Sequence, residues 1–269
     1  MSSRFRNDFI NEESFGVEAN TAAAVAATTV PMDNGFTFTA PVAGTCARAD
    51  VFEGQWLYSH TGGAAELNSL ISGANFNMVI GQPIRFIADL TFQLLATELN
   101  LFVGCRNDMI GAGTAPIVTL GAGMAATGQH FGFYTPASGG TAFANDDRLY
   151  AVSMHNDTVV QVTELSAANT ITRRDYDIAV GTRYQLQADW VPTGPRGGTT
   201  AVIFDADIQF TIDGETVAVH HQNAASAITP ANTDLMNFGI ATENITDIIT
   251  LEIRQLKCRQ LRALSQFGG

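Results

Sequence analysis

The stretch Arg183-Tyr184-Gln185-Leu186-Gln187-Ala188-Asp189-Trp190 sorts into two sets: Tyr184, Leu186, Ala188 and Trp190 on one side, Arg183, Gln185, Gln187 and Asp189 on the other. That alternation is the period of a β-strand with one face on a core and the other toward water. Downstream, Val202, Phe204, Ala206, Ile208, Phe210 and Ile212 alternate with Asp205, Asp207, Gln209 and Thr211 up to Asp213-Gly214. Asp-Gly tolerates the positive φ angles of a two-residue hairpin turn. With that turn, Ile212 faces Glu215, Phe210 faces Val217, Ile208 faces Val219, and Asp207 falls opposite His220 on the outer side. Upstream, Ile84, Phe86, Ala88, Leu90, Phe92 and Leu94 share a face against Arg85, Asp89, Thr91 and Gln93, with Ile87 the one exception.

Further strands are expected at 36–40, 51–58, 99–105, 130–134, 148–155, 158–165, 236–242 and 249–258. The last slips phase between Ile253 and Leu256, which predicts a bulge near Arg254-Gln255. No helical periodicity of useful length occurs in the body. Many short alternating strands call for an all-β fold, a two-sheet antiparallel jelly-roll sandwich. Residues 111–128 and 192–200, rich in Gly, Ala, Thr and Pro, read as loop-like insertions.

The sandwich is expected to run from 34 to 258. Residues 1–33 lack the alternation and read as an extended N-terminal arm, and 259–269 as a short tail. In the arm, Phe5, Phe9, Ile10 and Phe15 are the apolar anchors offered to a partner; Phe5 and Phe9, four apart, suit either a short amphipathic helix or a frayed end with local contacts.

Composition narrows the function classes. The 269 residues carry 26 acids against 14 basic residues, a formal −12, and Lys257 is the single lysine. Binding to nucleic-acid phosphates needs the opposite balance, so no nucleic-acid partner is expected. Seventeen Phe, five Tyr and two Trp are too much apolar payload for a disordered chain. No apolar run has the length of a leader's core or of a membrane span, so neither secretion nor a membrane partner is expected. Cys46, Cys105 and Cys258, odd in number and widely spaced, read as buried thiols.

Motifs for chemistry are missing. Gly111-Ala-Gly113 and Gly121-Ala-Gly123 precede no helix that could meet a pyrophosphate, so no nucleotide cofactor is expected. His60, His130, His155, His220 and His221 show no zinc spacing, and the adjacent pair points to opposite faces of a strand. Asp205, Asp207, Asp213 and Asn145-Asp146-Asp147 offer oxygens, but no calcium loop surrounds them, so no metal is expected. Two carboxylates alternating along one strand in a glycosidase pattern are absent, as are a nucleophile elbow and a Cys beside a His, so the chain does not read as an enzyme. Arg254, Lys257, Arg259 and Arg262 cluster without an acid between them; they read as a dipolar contact surface or as a solvated strand paired with local acids.

The succession Ile84–Leu94, Leu99–Cys105, Tyr184–Trp190, Phe210-Thr-Ile-Asp-Gly-Glu215 and Thr250-Leu-Glu-Ile-Arg254 resembles the concanavalin-like jelly rolls over residues 50–258. It is most similar to those among virion structural proteins of tailed bacteriophages, which pair such a sandwich with an N-terminal arm. The metal ligands of legume lectins and the carboxylate strand of glucanases are not present. What the resemblance implies is a non-enzymatic capsid decoration or cement protein, made in the host cytoplasm and held in the virion by the major capsid protein or other subunits. A homo-oligomer is compatible with it. The alternative is a glycan- or receptor-binding module of a tail or fibre.

Overall fold

A computed structural model describes residues 9–15, 23–25, 28–31, 36–40, 44–48, 55–61, 66–73, 76, 82–94, 99–107, 118–119, 123–124, 129–136, 148–155, 159–169, 171, 173–196, 203–222, 236–244 and 248–262. Among these there is no α-helix. In chain order the strands are β1 (Phe9–Phe15), β2 (Ala23–Val25), β3 (Thr28–Pro31), β4 (Phe36–Ala40), β5 (Gly44–Arg48), β6 (Trp56–Thr61), β7 (Glu66–Ser72), β8 (Ile84–Leu94), β9 (Leu99–Asn107), β10 (Val118–Thr119), β11 (Gly123–Met124), β12 (His130–Thr135), β13 (Tyr150–His155), β14 (Val159–Glu164), β15 (Arg183–Arg196), β16 (Ile203–Ile212), β17 (Glu215–Gln222), β18 (Met236–Asn244) and β19 (Ile248–Arg262). All but β10 and β11, which pair with each other, build two antiparallel sheets, ordered β17-β16-β15-β8-β19-β6-β5-β2 and β14-β13-β12-β9-β18-β7-β4-β3, with β1 added beside β19. The fold is the two-sheet jelly-roll sandwich the alternation calls for.

One slab of apolar side chains lies between the sheets. Trp56, Phe86, Phe92, Leu186, Trp190 and Phe210 of the first sheet face Phe38, Val103, Phe131, Phe133, Phe238 and Ile240 of the second, all buried. Edge-to-face pairs cross the gap, with ring centroids 5.6 Å apart for Phe133–Phe210 and 5.8 Å for Phe38–Tyr58, a geometry that adds to area burial. The Cys105 and Cys258 sulfurs meet across it at 3.9 Å, and all three cysteines are free and buried.

The turn forms as read: Asp213 and Gly214 have φ of 51° and 85°. Its register does not hold, because it shifts between Phe210 and Thr211, so Phe210 pairs with Ala218 and Ile208 with His220. Asp207 therefore sits opposite His221 and not His220. A bulge adds one residue to one strand and turns the rest of it over. His220 is thereby buried between the sheets, where its Nδ1 shares a 2.7 Å hydrogen bond with Ser153 Oγ and its Nε2 a 3.0 Å one with Thr163 Oγ1. A matching cross-link joins His60 Nδ1 and the Tyr58 hydroxyl to Thr242 Oγ1, at 3.0 and 2.6 Å. The bulge expected near Arg254-Gln255 is present, as a shift between Ile253 and Gln255 where β19 pairs with β8.

The opening segment differs from an arm lying outside the sandwich. Phe9–Phe15 pairs antiparallel with Leu256–Arg262, Ala23–Val25 with Gly44–Cys46, and Thr28–Pro31 with Thr37–Ala40. Residues 5–8, on which the suggested short helix falls, lie outside the described residues; Phe9 itself opens β1, which forms because β19 runs on to Arg262, into the expected tail, and leaves an edge to pair with. Residues 192–196 likewise continue β15 through a bulge between Pro192 and Gly194 and are not a loop. A small hairpin, β10–β11, lies within 111–128.

On the face of the second sheet away from the core, Gly132, Gly104 and Gly239 stand side by side on β12, β9 and β18. A Cβ on Gly132 would collide with the Val103 carbonyl and come within 2.9 Å of the Phe102 ring. The substitution Gly132→Ala is expected to cost about 2 kcal/mol or more in urea denaturation, because backbone would have to move.

Burial lowers the pKa of His60 and His220 to about 4 and that of His130 to about 3, Arg106 adding to the effect at His130. In the unfolded chain these rings titrate near ~6.5. Between that value and about 4 the unfolded state binds protons that the folded state refuses, so stability is retained above pH ~6.5 and falls as the pH drops through this window. The melting temperature is expected to decline over that range, and His220→Gln, which keeps polar atoms but cannot titrate there, to make the decline shallower; an unchanged slope would contradict the assignment.

Candidate functional site

The outward faces of the two sheets differ. On the second sheet, Ile71, Phe102, Tyr134, Tyr150, Val152 and Ala241 form a separate buried cluster on the side away from the main core. His130 and Arg106, register partners on that same side, are also buried. Among the described residues, it is the first sheet that presents polar side chains to solvent in an ordered array.

That array follows from period 2 on three neighbouring strands. Arg183, Gln185, Gln187, Asp189 and Val191 of β15, Arg85, Ile87, Asp89, Thr91 and Gln93 of β8, and Glu252, Arg254, Lys257 and Arg259 of β19 all point outward. Arg85 donates from Nε and Nη2 to the two oxygens of Asp189 at 2.7 and 2.9 Å, and Gln187 Nε2 donates to Asp189 Oδ2 at 2.8 Å. Arg183 grips Asp89 in the same forked way, at 2.8 and 2.6 Å. Glu252 accepts from Arg254 Nε at 3.0 Å on Oε1 and from Gln93 Nε2 at 2.7 Å on Oε2. Forked guanidinium–carboxylate pairs fix geometry as well as charge. Hydrogen bonding to the carboxylates raises the pKa of Arg85 and Arg183.

Every oxygen of Asp89, Asp189 and Glu252 thus accepts from a neighbouring side chain. General acid or nucleophilic work at a sugar needs a carboxyl oxygen turned toward the substrate. This face is equipped to hold a ligand by hydrogen bonds and charge. A groove of about 240 Å³ opens in it, lined by Pro83, Ile84, Arg85, Asp189, Val191 and Arg259.

The residues singled out from sequence scatter. Arg254, Lys257 and Arg259 do reach the array, Arg254 being paired with Glu252. Asp207 bonds His221 Nδ1 at 2.8 Å on the same face, while Asp213 sits in the turn, accepting from the Gln185 amide at 2.9 Å. Among the described residues no three His, Cys, Asp or Glu side chains gather as metal ligands. Phe9, Ile10 and Phe15 lie in β1, and Phe5, Asn145, Asp146 and Asp147 lie outside the described residues. Trp56 and Trp190 are both buried, so neither indole can stack on a ligand. Arg85, Asp89, Arg183 and Asp189 were legible only as the wet side of two strands. The signal that would have found them is opposite charges at the same phase on strands expected to be neighbours.

No family model and no curated protein matches this sequence. Solved structures do resemble it. An alginate lyase, Aly36B, solved as a mutant with an alginate trisaccharide, superposes with a TM-score of 0.51 at 11% identity, over 94% of this chain and 98% of that one. A protein of Shewanella oneidensis MR-1 gives 0.49 at 10% identity over 100% and 93%, and the lectin UEA-II complexed with galactose gives 0.49 at 9% over 90% and 99%. At such identity the likeness concerns the fold alone, a two-sheet antiparallel jelly-roll sandwich.

The pairing on this face can be tested without knowing the ligand. Arg85 lies opposite Asp189 on one side and Arg259 on the other. Asp189→Ala is expected to cost about 1 kcal/mol, because it leaves two cations opposed, and adding Arg259→Gln to restore part of the loss; Asp207→Ala, at an exposed pair, should change stability by less than about 0.5 kcal/mol. Urea denaturation of the single and double variants reads this coupling.

Proposed function

We propose that this chain is a non-catalytic recognition module that holds a glycan against the outer face of its first sheet. The observation that carries the reading is the preset array on β15, β8 and β19, whose guanidinium, carboxylate and amide groups are fixed by one another before any ligand arrives. Prior fixation reduces the ordering cost of binding, and planar polar side chains suit the paired hydroxyls of a sugar. With Trp56 and Trp190 in the core, adhesion rests on hydrogen bonds and not on indole stacking. A sandwich of like fold was solved with an alginate trisaccharide, so this architecture is compatible with a sugar chain.

Catalysis is not part of the proposal, because the carboxylates of the array are engaged. Head decoration drew on an opening segment free to drape over a neighbour; residues 9–15, 23–25 and 28–31 pair instead with the chain's own strands. The virion setting implied by the resemblance enters here as the place of action, a receptor-binding module on a tail or fibre.

A glycan array followed by calorimetry tests this. Expected is saturable binding to a defined glycan class, weakened by Arg183→Ala together with Arg85→Ala. Silence across the array, with stable occupancy of purified phage heads, would replace this reading with decoration.

A further inference from the structure

Cys258 reaches the interior by way of the bulge in β19. Before the bulge, Ile249, Leu251 and Ile253 face the core; after it, Leu256 and Cys258 do, all buried. Had the phase of Ile253 run on unbroken, positions 255 and 257 would face inward and Cys258 outward. Cys105 arrives by plain alternation, with Leu101 and Val103 on the inward side of β9. The two sulfurs then meet across the gap at 3.9 Å, from residues 153 apart in the chain.

The meeting point is central. β9 lies between β12 and β18, and β19 at this height between β8 and β1, so each cysteine sits in a strand paired on both sides. Phe238, beside Cys105, and Phe86, beside Cys258, pack edge to face with centroids 6.2 Å apart, a second contact across the gap next to the sulfurs. Closing 3.9 Å to the ~2.05 Å of a disulfide asks for about 2 Å of approach, shared between side-chain rotation and a local drawing-in of the two strands. Cys46 does not compete. Cys46 and Leu251 are both register partners of Tyr58, and Cys258 lies further along β19. Two strand spacings and the rise from Leu251 to Cys258 put Cys46 roughly 25 Å from Cys258, and so far from Cys105 as well.

We infer that Cys105 and Cys258 form an inter-sheet disulfide site, closed by a low-molecular-weight disulfide as the two sheets come together. One protein thiolate attacks a sulfur of oxidised glutathione and expels one glutathione thiolate; the second protein thiolate attacks the protein sulfur of the mixed disulfide and expels the other. The two protein thiols give up two electrons, which reduce one glutathione disulfide to two glutathione molecules, and their two protons end on the released thiols. Both sulfurs are buried once the sandwich has closed, so exchange belongs to the folding chain, and the native register selects the pair. The bond joins the sheets between inner strands and holds the denatured chain in a long loop, which disfavours unfolding.

In the test, the full chain is unfolded in urea with reductant and refolded by dilution into mixed reduced and oxidised glutathione, and in parallel into reduced glutathione alone. Alkylation and peptide mapping then locate the bond. Expected is a single Cys105–Cys258 disulfide with Cys46 left as a thiol, and a melting temperature higher than that of the reduced protein by about 5 °C or more. Cys46→Ala should keep both the bond and the rise, and Cys105→Ala or Cys258→Ala should lose both, each variant being compared with itself between the two buffers. If refolding is incomplete or a variant misfolds, native wild-type protein held with the oxidising mixture near its urea midpoint gives the same map. Folded protein without the bond after the oxidising mixture, a bond that involves Cys46, or a Cys105–Cys258 bond with no rise in melting temperature overturns the site.

Discussion

The interior slab between the sheets is the constraint on which the other features depend. Each strand of the first sheet must give alternate side chains to it, and the remaining ones have nowhere to go but outward. The outer array is therefore a by-product of core formation: placing Ala88, Leu90, Leu186 and Trp190 inward obliges Arg85, Asp89, Arg183 and Asp189 to meet on the other side. Strands buried on one face carry a strongly specified register, because a slip by one residue would exchange the core set for the charged set. That same penalty holds the arginine–carboxylate forks in line without any contribution from their own modest pairing energy.

The slab is not wholly apolar, and its polar members sit where the sheets must be kept in step. His220 bonds Ser153 and Thr163, and His60 and Tyr58 bond Thr242, so the sheets are cross-linked through two separate neutral hydrogen-bonded groups. A buried polar group that loses its partner costs more than a made bond returns. These links therefore act against sliding of one sheet over the other, a displacement that apolar contacts alone resist weakly.

Much of the sandwich was legible because alternation survives in β8, β15 and β16, and Phe36–Ala40 appears with the bounds expected of it. What escaped did so for identifiable reasons. In β7, Glu66-Leu-Asn-Ser-Leu-Ile-Ser72, polar Asn68, Ser69 and Ser72 are buried along with Leu70 and Ile71, so neither face stands out by polarity. In β17, Val217-Ala218-Val219 is apolar without a break, which leaves register open by one residue, and the bulge chose the phase that turns His220 inward. The small-residue stretch before residue 33 has no alternation to read; its short strands exist because β5 and β4 offer edges to pair with, information that sits elsewhere in the chain. The array was half visible: its basic members near the end of the chain stood out as a run, while its acids lie in two other strands and acquire meaning only through sheet order.

Sheet order also explains why a protein so acidic can carry a cationic surface at its centre. Long β19 is bordered by β8 along one side and by β6 and then β1 along the other, so its basic residues sit inside the sheet and not at an edge. Side chains inside a sheet have neighbours on both flanks, which restricts their rotation and makes them better aimed than the same residues at an edge or in a loop. Aimed side chains have little freedom left to lose, and the ordering cost that weakens most surface ion pairs has been met in the fold itself.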